Sequence, residues 1–127
     1  MIERLDHVAV AVPDLDEHVD LLTTRFGLRL RRTGVHRPTG ARLALLDDPV
    51  SGLKLELVES DGEAGFLHFA FAVDDVAAEH GRLEAEGLDG SRGVARIDAA
   101  KADSAMLATQ GGLELQLVRY DADSPDR

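Results

Sequence analysis

The sequence predicts an α+β fold made of two tandem βαβββ modules, and three observations lead to it. His7-Val8-Ala9-Val10-Ala11-Val12 alternates His or Ala on one face of a strand with Val on the other, and His68-Phe69-Ala70-Phe71-Ala72-Val73 repeats that pattern sixty-one residues later. An Asp follows each copy at the same offset, Asp14 and Asp75, and then a Leu, Leu22 and Leu83. Finally, Gly52-Leu53-Lys54-Leu55-Glu56-Leu57-Val58 recurs as Gly112-Leu113-Glu114-Leu115-Gln116-Leu117-Val118 at an offset of sixty. An internal duplication accounts for all three.

The elements follow in order. Residues 5–12 form the first strand, which Pro13 stops and Asp14 follows as a helix N-cap. Asp14 and Glu17 make a capping-box pattern, and Leu15, Val19, Leu22 and Phe26 recur at helical spacing before Gly27 closes the helix. Residues 28–35, 41–46 and 53–59 read as three strands separated by the turn clusters 37–40 and 47–52. After a turn at residues 60–65 the second copy runs through a strand containing His68, a helix capped by Asp75 and ended by Gly87, and strands at 92–97, 104–109 and 113–120. Residues 121–127 are polar, contain Pro125 and read as a frayed tail. Module one is thus residues 1–61 and module two 62–120 of a single domain.

Composition narrows the function. The 127 residues include no cysteine, which excludes disulfides, thiolate metal sites and cysteine nucleophiles and points to the cytoplasm. No basic leader and no run of about 20 apolar residues is present, so a soluble protein without membrane association is expected. A net charge of −10 argues against a nucleic-acid partner. The charge is uneven, however. Residues 21–46 hold no Asp or Glu but six arginines, Arg25, Arg29, Arg31, Arg32, Arg37 and Arg42. Those on the second strand, Arg29 and Arg31, are candidates to bind an anionic small-molecule substrate; a solvated strand edge is the plainer reading.

The size difference between strand faces suggests where chemistry resides. Phe and Val on one face call for a helix, whereas His and Ala leave space on the other. Two equivalent histidines, His7 and His68, suit a metal better than a lone core histidine does. In the last strand of each copy Lys54, Glu56 and Val58 share a face, and Glu56 is matched by Gln116. The inward strand pairs therefore offer His7, Glu56, His68 and Gln116. His18 is expected at the helix surface, and His80, matched to Val19, as a partly buried structural residue.

These residues resemble the vicinal oxygen chelate superfamily, which includes glyoxalase I, methylmalonyl-CoA epimerase, extradiol dioxygenases, fosfomycin-resistance enzymes and bleomycin-binding proteins. The likeness rests on residues 5–15, 55–58, 68–76 and 112–118 and spans about 120 residues. It implies a curved, mostly antiparallel eight-stranded sheet with helices outside, and a homodimer. It also implies a divalent metal (Ni, Co, Zn, Mn or Fe) held by His7, Glu56, His68 and Gln116. Gln116 departs from the family, where that last-strand position is a glutamate that binds metal and moves a proton; an amide can donate its carbonyl oxygen but cannot act as a base. Glu114, on the same face roughly 6.6 Å away, is the alternative base or fourth ligand, and Glu56 the other catalytic carboxylate. The implied function is a glyoxalase- or epimerase-like lyase or isomerase that stabilises an enediolate. A metal-free small-molecule or antibiotic-binding protein and an Fe(II) dioxygenase are the alternatives.

Overall fold

In the computed structural model, which describes residues 1–127, each half of the chain is a βαβββ module. Module one contains β1 (Ile2–Val12), α1 (Leu15–Thr24), β2 (Arg29–His36), β3 (Ala41–Asp47) and β4 (Lys54–Glu59). Module two contains β5 (Gly65–Val73), α2 (Val76–Ala85), β6 (Asp89–Ile97), β7 (Ala102–Ala108) and β8 (Glu114–Tyr120). The strand orders are β2-β3-β4-β1 and β5-β8-β7-β6. In each module the first and last strands pair in parallel and the other two pairings are antiparallel.

Residues opposite one another across a ladder share a face, so the register sorts every side chain. In module one Val10 lies opposite Leu57 and Leu57 opposite Ala44. With Val12 and Leu46 these residues meet Leu15, Val19 and Leu22 of the helix in one apolar core. In module two Phe71 lies opposite Leu117, which lies opposite Ala105, and this face packs against Val76 and Leu83. The bulky positions of both repeats therefore face the helices, and the His-Ala positions take the opposite side of each sheet, called the inner face below.

Local chemistry fixes the helix starts. The Asp14 carboxylate accepts from the Glu17 N–H at 3.1 Å and the Asp75 carboxylate from the Ala78 N–H at 3.0 Å, relieving backbone donors that lack an intrahelical partner. Gly52 and Gly112 occupy the same turn in the two copies with φ of 79° and 90°, a region open to glycine at little cost. That turn sets the register of the strand that follows.

Three expectations need correction. Phe26 does not join the helix stripe: α1 ends at Thr24 and Phe26 is 68% exposed. Gly27 takes a left-handed conformation with φ of 76° and the Leu28 N–H donates to the Leu22 carbonyl at 3.1 Å, which closes the helix and turns the chain out of the stripe at Phe26. The tail after β8 is tied down rather than frayed. The Asp121 N–H donates to the Lys101 carbonyl at 2.8 Å, Arg96 pairs with Asp121, Lys101 with Asp123, the Ser124 hydroxyl bonds the Ala100 carbonyl, and Asp126 is buried. Finally, the chain forms two compact units, His7–Leu67 and His68–Arg127, and Met1–Asp6 belongs with the latter. The cause is the first half of β1, where the Tyr120 hydroxyl donates to Asp6 at 2.6 Å.

The duplicated core predicts duplicated energetics. Leu57→Ala and Leu117→Ala, at matched and fully buried positions, should each cost about 2–5 kcal/mol in urea unfolding. A cost under about 1 kcal/mol at either site would show that the modules do not share one packing scheme.

Candidate functional site

On the inner face of module one the register builds two rows. His7 lies opposite Lys54, Lys54 opposite Asp47, and Asp47 opposite Arg29. The next row runs Ala9, Glu56, Leu45, Arg32. His7, Lys54 and Asp47 are buried, and Glu56 is half-buried. Arg29 grips Asp47 with two hydrogen bonds, Nε to Oδ1 at 3.0 Å and Nη2 to Oδ2 at 2.9 Å, and Arg31 reaches the same carboxylate at 3.3 Å. The Arg29 guanidinium holds the Asp47 carboxyl below its ordinary value. The two arginines expected to bind substrate thus converge on an internal anion. Asp47 was legible only as a turn residue.

Arg31 reaches that side because of a bulge. The β2–β3 register shifts between Leu30 and Arg32, and the extra residue breaks the two-residue alternation. Leu30 lies opposite Leu46 on the helix side, whereas Arg29, Arg31 and Arg32 all serve the inner face.

On the inner face of module two Ala70 lies opposite Gln116, Gln116 opposite Met106, and Met106 opposite Arg92. Gln116 therefore relates to Ala70 as Glu56 relates to Ala9. Gln116 is buried, and its amide nitrogen donates to the Ser104 hydroxyl at 2.8 Å, so the group it offers a ligand is the carbonyl oxygen. Ser104 was not foreseen. Its one signal was its place at the start of an expected strand beside the Gln116 strand. Glu114 is exposed and lies opposite Ala108; the repeat makes it the counterpart of Lys54.

Each module thus sets one histidine and one last-strand residue on its inner face. The Nε2 atoms of His7 and His68 are buried and have no hydrogen-bond partner, although both side chains interact in other ways. No three His, Asp or Glu side chains stand close enough to form a metal-holding group. His80 is structural: Nε2 contacts the Met106 carbonyl at 3.2 Å and Nδ1 contacts Glu84 at 3.1 Å. His18 lies at the start of its own helix, where its ring Nδ1 contacts the Asp14 carbonyl at 2.6 Å.

Residues 6–103 match the family model of the glyoxalase/bleomycin resistance protein/dioxygenase superfamily. The chain belongs to this superfamily. Among curated proteins it is similar to a probable lactoylglutathione lyase of Vibrio parahaemolyticus serotype O3:K6 (strain RIMD 2210633), 26% identical over 124 residues and covering 91% of this chain and 90% of the relative. Among solved structures, a Streptomyces coelicolor methylmalonyl-CoA epimerase (E43L) in complex with 2-nitronate-propionyl-CoA is 25% identical with a TM-score of 0.83, covering 98% of this chain and 99% of that one. The methylmalonyl-CoA epimerase of Mycobacterium tuberculosis, 24% identical with a TM-score of 0.85 over 94% of this chain and 89% of that one, shares the fold. No helix is long and apolar enough to cross a membrane.

The Arg29–Asp47 contact carries a pH signature. Asp47 has a folded value below its ordinary 3.8, so its contribution is complete above that pH and is lost as pH falls through the folded value. Asp47→Asn should cost about 1 kcal/mol at pH 7, a figure kept low by the exposure of Arg29. It should also flatten the loss of stability as pH falls below the ordinary carboxylate value of 3.8. Parallel stability curves for the two proteins across that range would rule Asp47 out as a source of acid sensitivity.

Proposed function

We propose that the protein is a glyoxalase- or epimerase-like lyase or isomerase that acts on a small anionic carbonyl compound with a divalent metal held by His7, Glu56, His68 and Gln116. The observation that carries this reading is the matched placement in the two modules. Ala9–Glu56 and Ala70–Gln116 occupy equivalent rows, each with a histidine two residues earlier on the same strand. The superfamily membership, the epimerase structures and the lactoylglutathione lyase relative support the class.

By type, two imidazoles, one carboxylate and one amide carbonyl suit Ni, Co, Zn, Mn or Fe without choosing among them, but His7, Glu56 and His68 are not gathered into a metal-holding group in this structure, so the reading requires these side chains to move together when an ion binds. Bound there, such an ion supplies Lewis-acid polarisation of the substrate's carbonyl oxygen. The chain's own residues do the rest. Ser104 engages the amide nitrogen of Gln116 and leaves the carbonyl oxygen to face a ligand. Because that amide cannot accept a proton, proton transfer beside the carbonyl falls to a carboxylate on the same inner faces. Glu114 is exposed to solvent, while Glu56 is half-buried.

A second reading, a small-molecule binder that does no chemistry, is favoured by one observation: a buried lysine, Lys54, lies directly opposite His7 and opposes a cation there. The dioxygenase alternative is weakened by Gln116, which replaces the carboxylate that an iron triad needs.

Calorimetry with Ni, Co, Zn and Mn separates these readings. Wild type should bind at least one ion, His68→Ala should lower that affinity sharply with the fold intact, and Gln116→Glu should tighten it by adding an ionised ligand. Equal binding by wild type and His68→Ala would remove His68 from the site. In assays of methylmalonyl-CoA epimerisation and lactoylglutathione formation, Glu114→Gln should keep metal affinity within a few-fold while lowering turnover by about 10²–10⁴-fold. Unchanged turnover would shift the proton-moving role to Glu56.

A further inference from the structure

On the helix side of the sheets the two modules carry opposite charges at one matched position. Glu59 follows Val58 in module one, and Arg119 follows Val118 in module two, sixty residues later. The Glu59 carboxylate accepts from the Leu15 N–H at 3.1 Å. Leu15 is the first residue of α1, so this bond satisfies a donor that has no intrahelical partner and sets a negative charge at the positive end of the helix. Arg42 stands 3.6 Å from the same carboxylate while pairing with Asp16. An acid is therefore held at that helix start although Asp14 and Asp16 flank Leu15 in the chain.

In module two the counterpart of Leu15 is Val76, the first residue of α2. The residue at the Glu59 position is now Arg119, which has no acceptor to offer the Val76 N–H. A cleft of about 350 Å³ opens there instead, lined by Val76, Ala77, Val94, Arg119 and three aspartates. It lies on the helix side, since Arg119 is two residues beyond Leu117 and opposite Asp103, which is two residues before Ala105. The aspartates are engaged: Asp75 accepts from the Ala78 N–H at 3.0 Å, Asp103 pairs with Arg96 at 3.3 Å, and Asp74 pairs with the Met1 ammonium. Arg119 is exposed and makes no hydrogen bond or ion pair. Its field reaches Asp121, but that carboxylate is bonded to Arg96.

We propose that the cleft at the start of α2 binds a small-molecule carboxylate, which accepts from the Val76 N–H as Glu59 accepts from Leu15 and takes Arg119 as its counter-ion. The planar guanidinium matches a carboxylate in bidentate geometry, and Val76, Ala77 and Val94 supply apolar walls for a short carbon chain. At the roughly 30 Å³ that each water occupies in the liquid, the cleft has room for about ten non-hydrogen atoms. The site is on the face of the sheet opposite Gln116 and is independent of the function proposed above.

The test is a titration of the ¹⁵N-labelled full chain with butyrate, followed by amide NMR shifts at constant ionic strength, with inorganic phosphate and chloride as second probes. Butyrate should move the Val76 amide proton downfield to a plateau and leave Leu15, already bonded to Glu59, in place. Arg119→Met should weaken that response about tenfold or more. Arg119→Glu supplies the carboxylate from the chain itself, so it should move the Val76 amide without butyrate and abolish the response to it. Because Arg119 is exposed, melting temperatures within a few degrees of wild type are expected for both variants. A Val76 amide that ignores butyrate in wild type, that responds equally in Arg119→Met, or that stays in place in Arg119→Glu overturns the proposal. Phosphate or chloride acting as strongly as butyrate, with the same dependence on Arg119, overturns the carboxylate assignment.

Discussion

Strand pairing that holds Ala9 beside Glu56 in one module and Ala70 beside Gln116 in the other is the constraint on which the rest depends. Side chains alternate along a strand with a period of two, so a slip of one residue would send every inner-face group to the helix side and every core residue to the inner face. Burial prevents that slip. Leu57 and Leu117 are fully buried beneath their helices, and exposing either would forfeit its transfer free energy and its packing. The apolar core on one face thus fixes which residues are available for chemistry on the other, and no interaction among the candidate site residues is needed to set the register.

That mechanism explains what was legible in the sequence. The His-Ala and Phe-Val alternation, the paired Asp caps and the repeated Gly-Leu-x-Leu-x-Leu-Val strand are local patterns tied to periodicity, and each element appears within a few residues of its expected bounds. The equivalence of Glu56 and Gln116 was legible for the same reason, since an offset counted from Gly52 and Gly112 survives folding when both glycines start the same turn.

What escaped the sequence depends on events that periodicity does not encode. A bulge adds one residue to one strand, and nothing in Arg29-Leu30-Arg31-Arg32 says which residue is the extra one. The pairing with β3 decides it. Ser104 and Asp47 escaped because their partners are distant in the chain: Gln116 is twelve residues from Ser104, and Arg29 eighteen from Asp47. The tail escaped for a related reason. A polar segment with a proline has the composition of a frayed end, yet its carboxylates and hydroxyl meet Arg96, Lys101 and the Ala100 carbonyl presented by the β6–β7 hairpin.

The two copies have kept their geometry while exchanging their charges. At the matched last-strand positions module one carries Lys54 and Glu56, and module two carries Glu114 and Gln116. The cation and carboxylate of the first pair sum to zero, whereas the second pair sums to minus one, with its charge moved two residues toward the strand's exposed start. The carboxylate in module one is half-buried beside a buried lysine, and the carboxylate in module two is open to solvent. Under the function proposed above, such a division would separate two jobs that a single glutamate otherwise combines. A residue that must face a ligand steadily is served by an amide locked to Ser104, because an amide does not change charge when a proton moves. A residue that must take up and release a proton is served by a carboxylate in contact with water. On the proposed reading, Gln116 in place of an acid is a redistribution of roles along β8 rather than the loss of one, and the unbroken register between β7 and β8 keeps both residues on the same face.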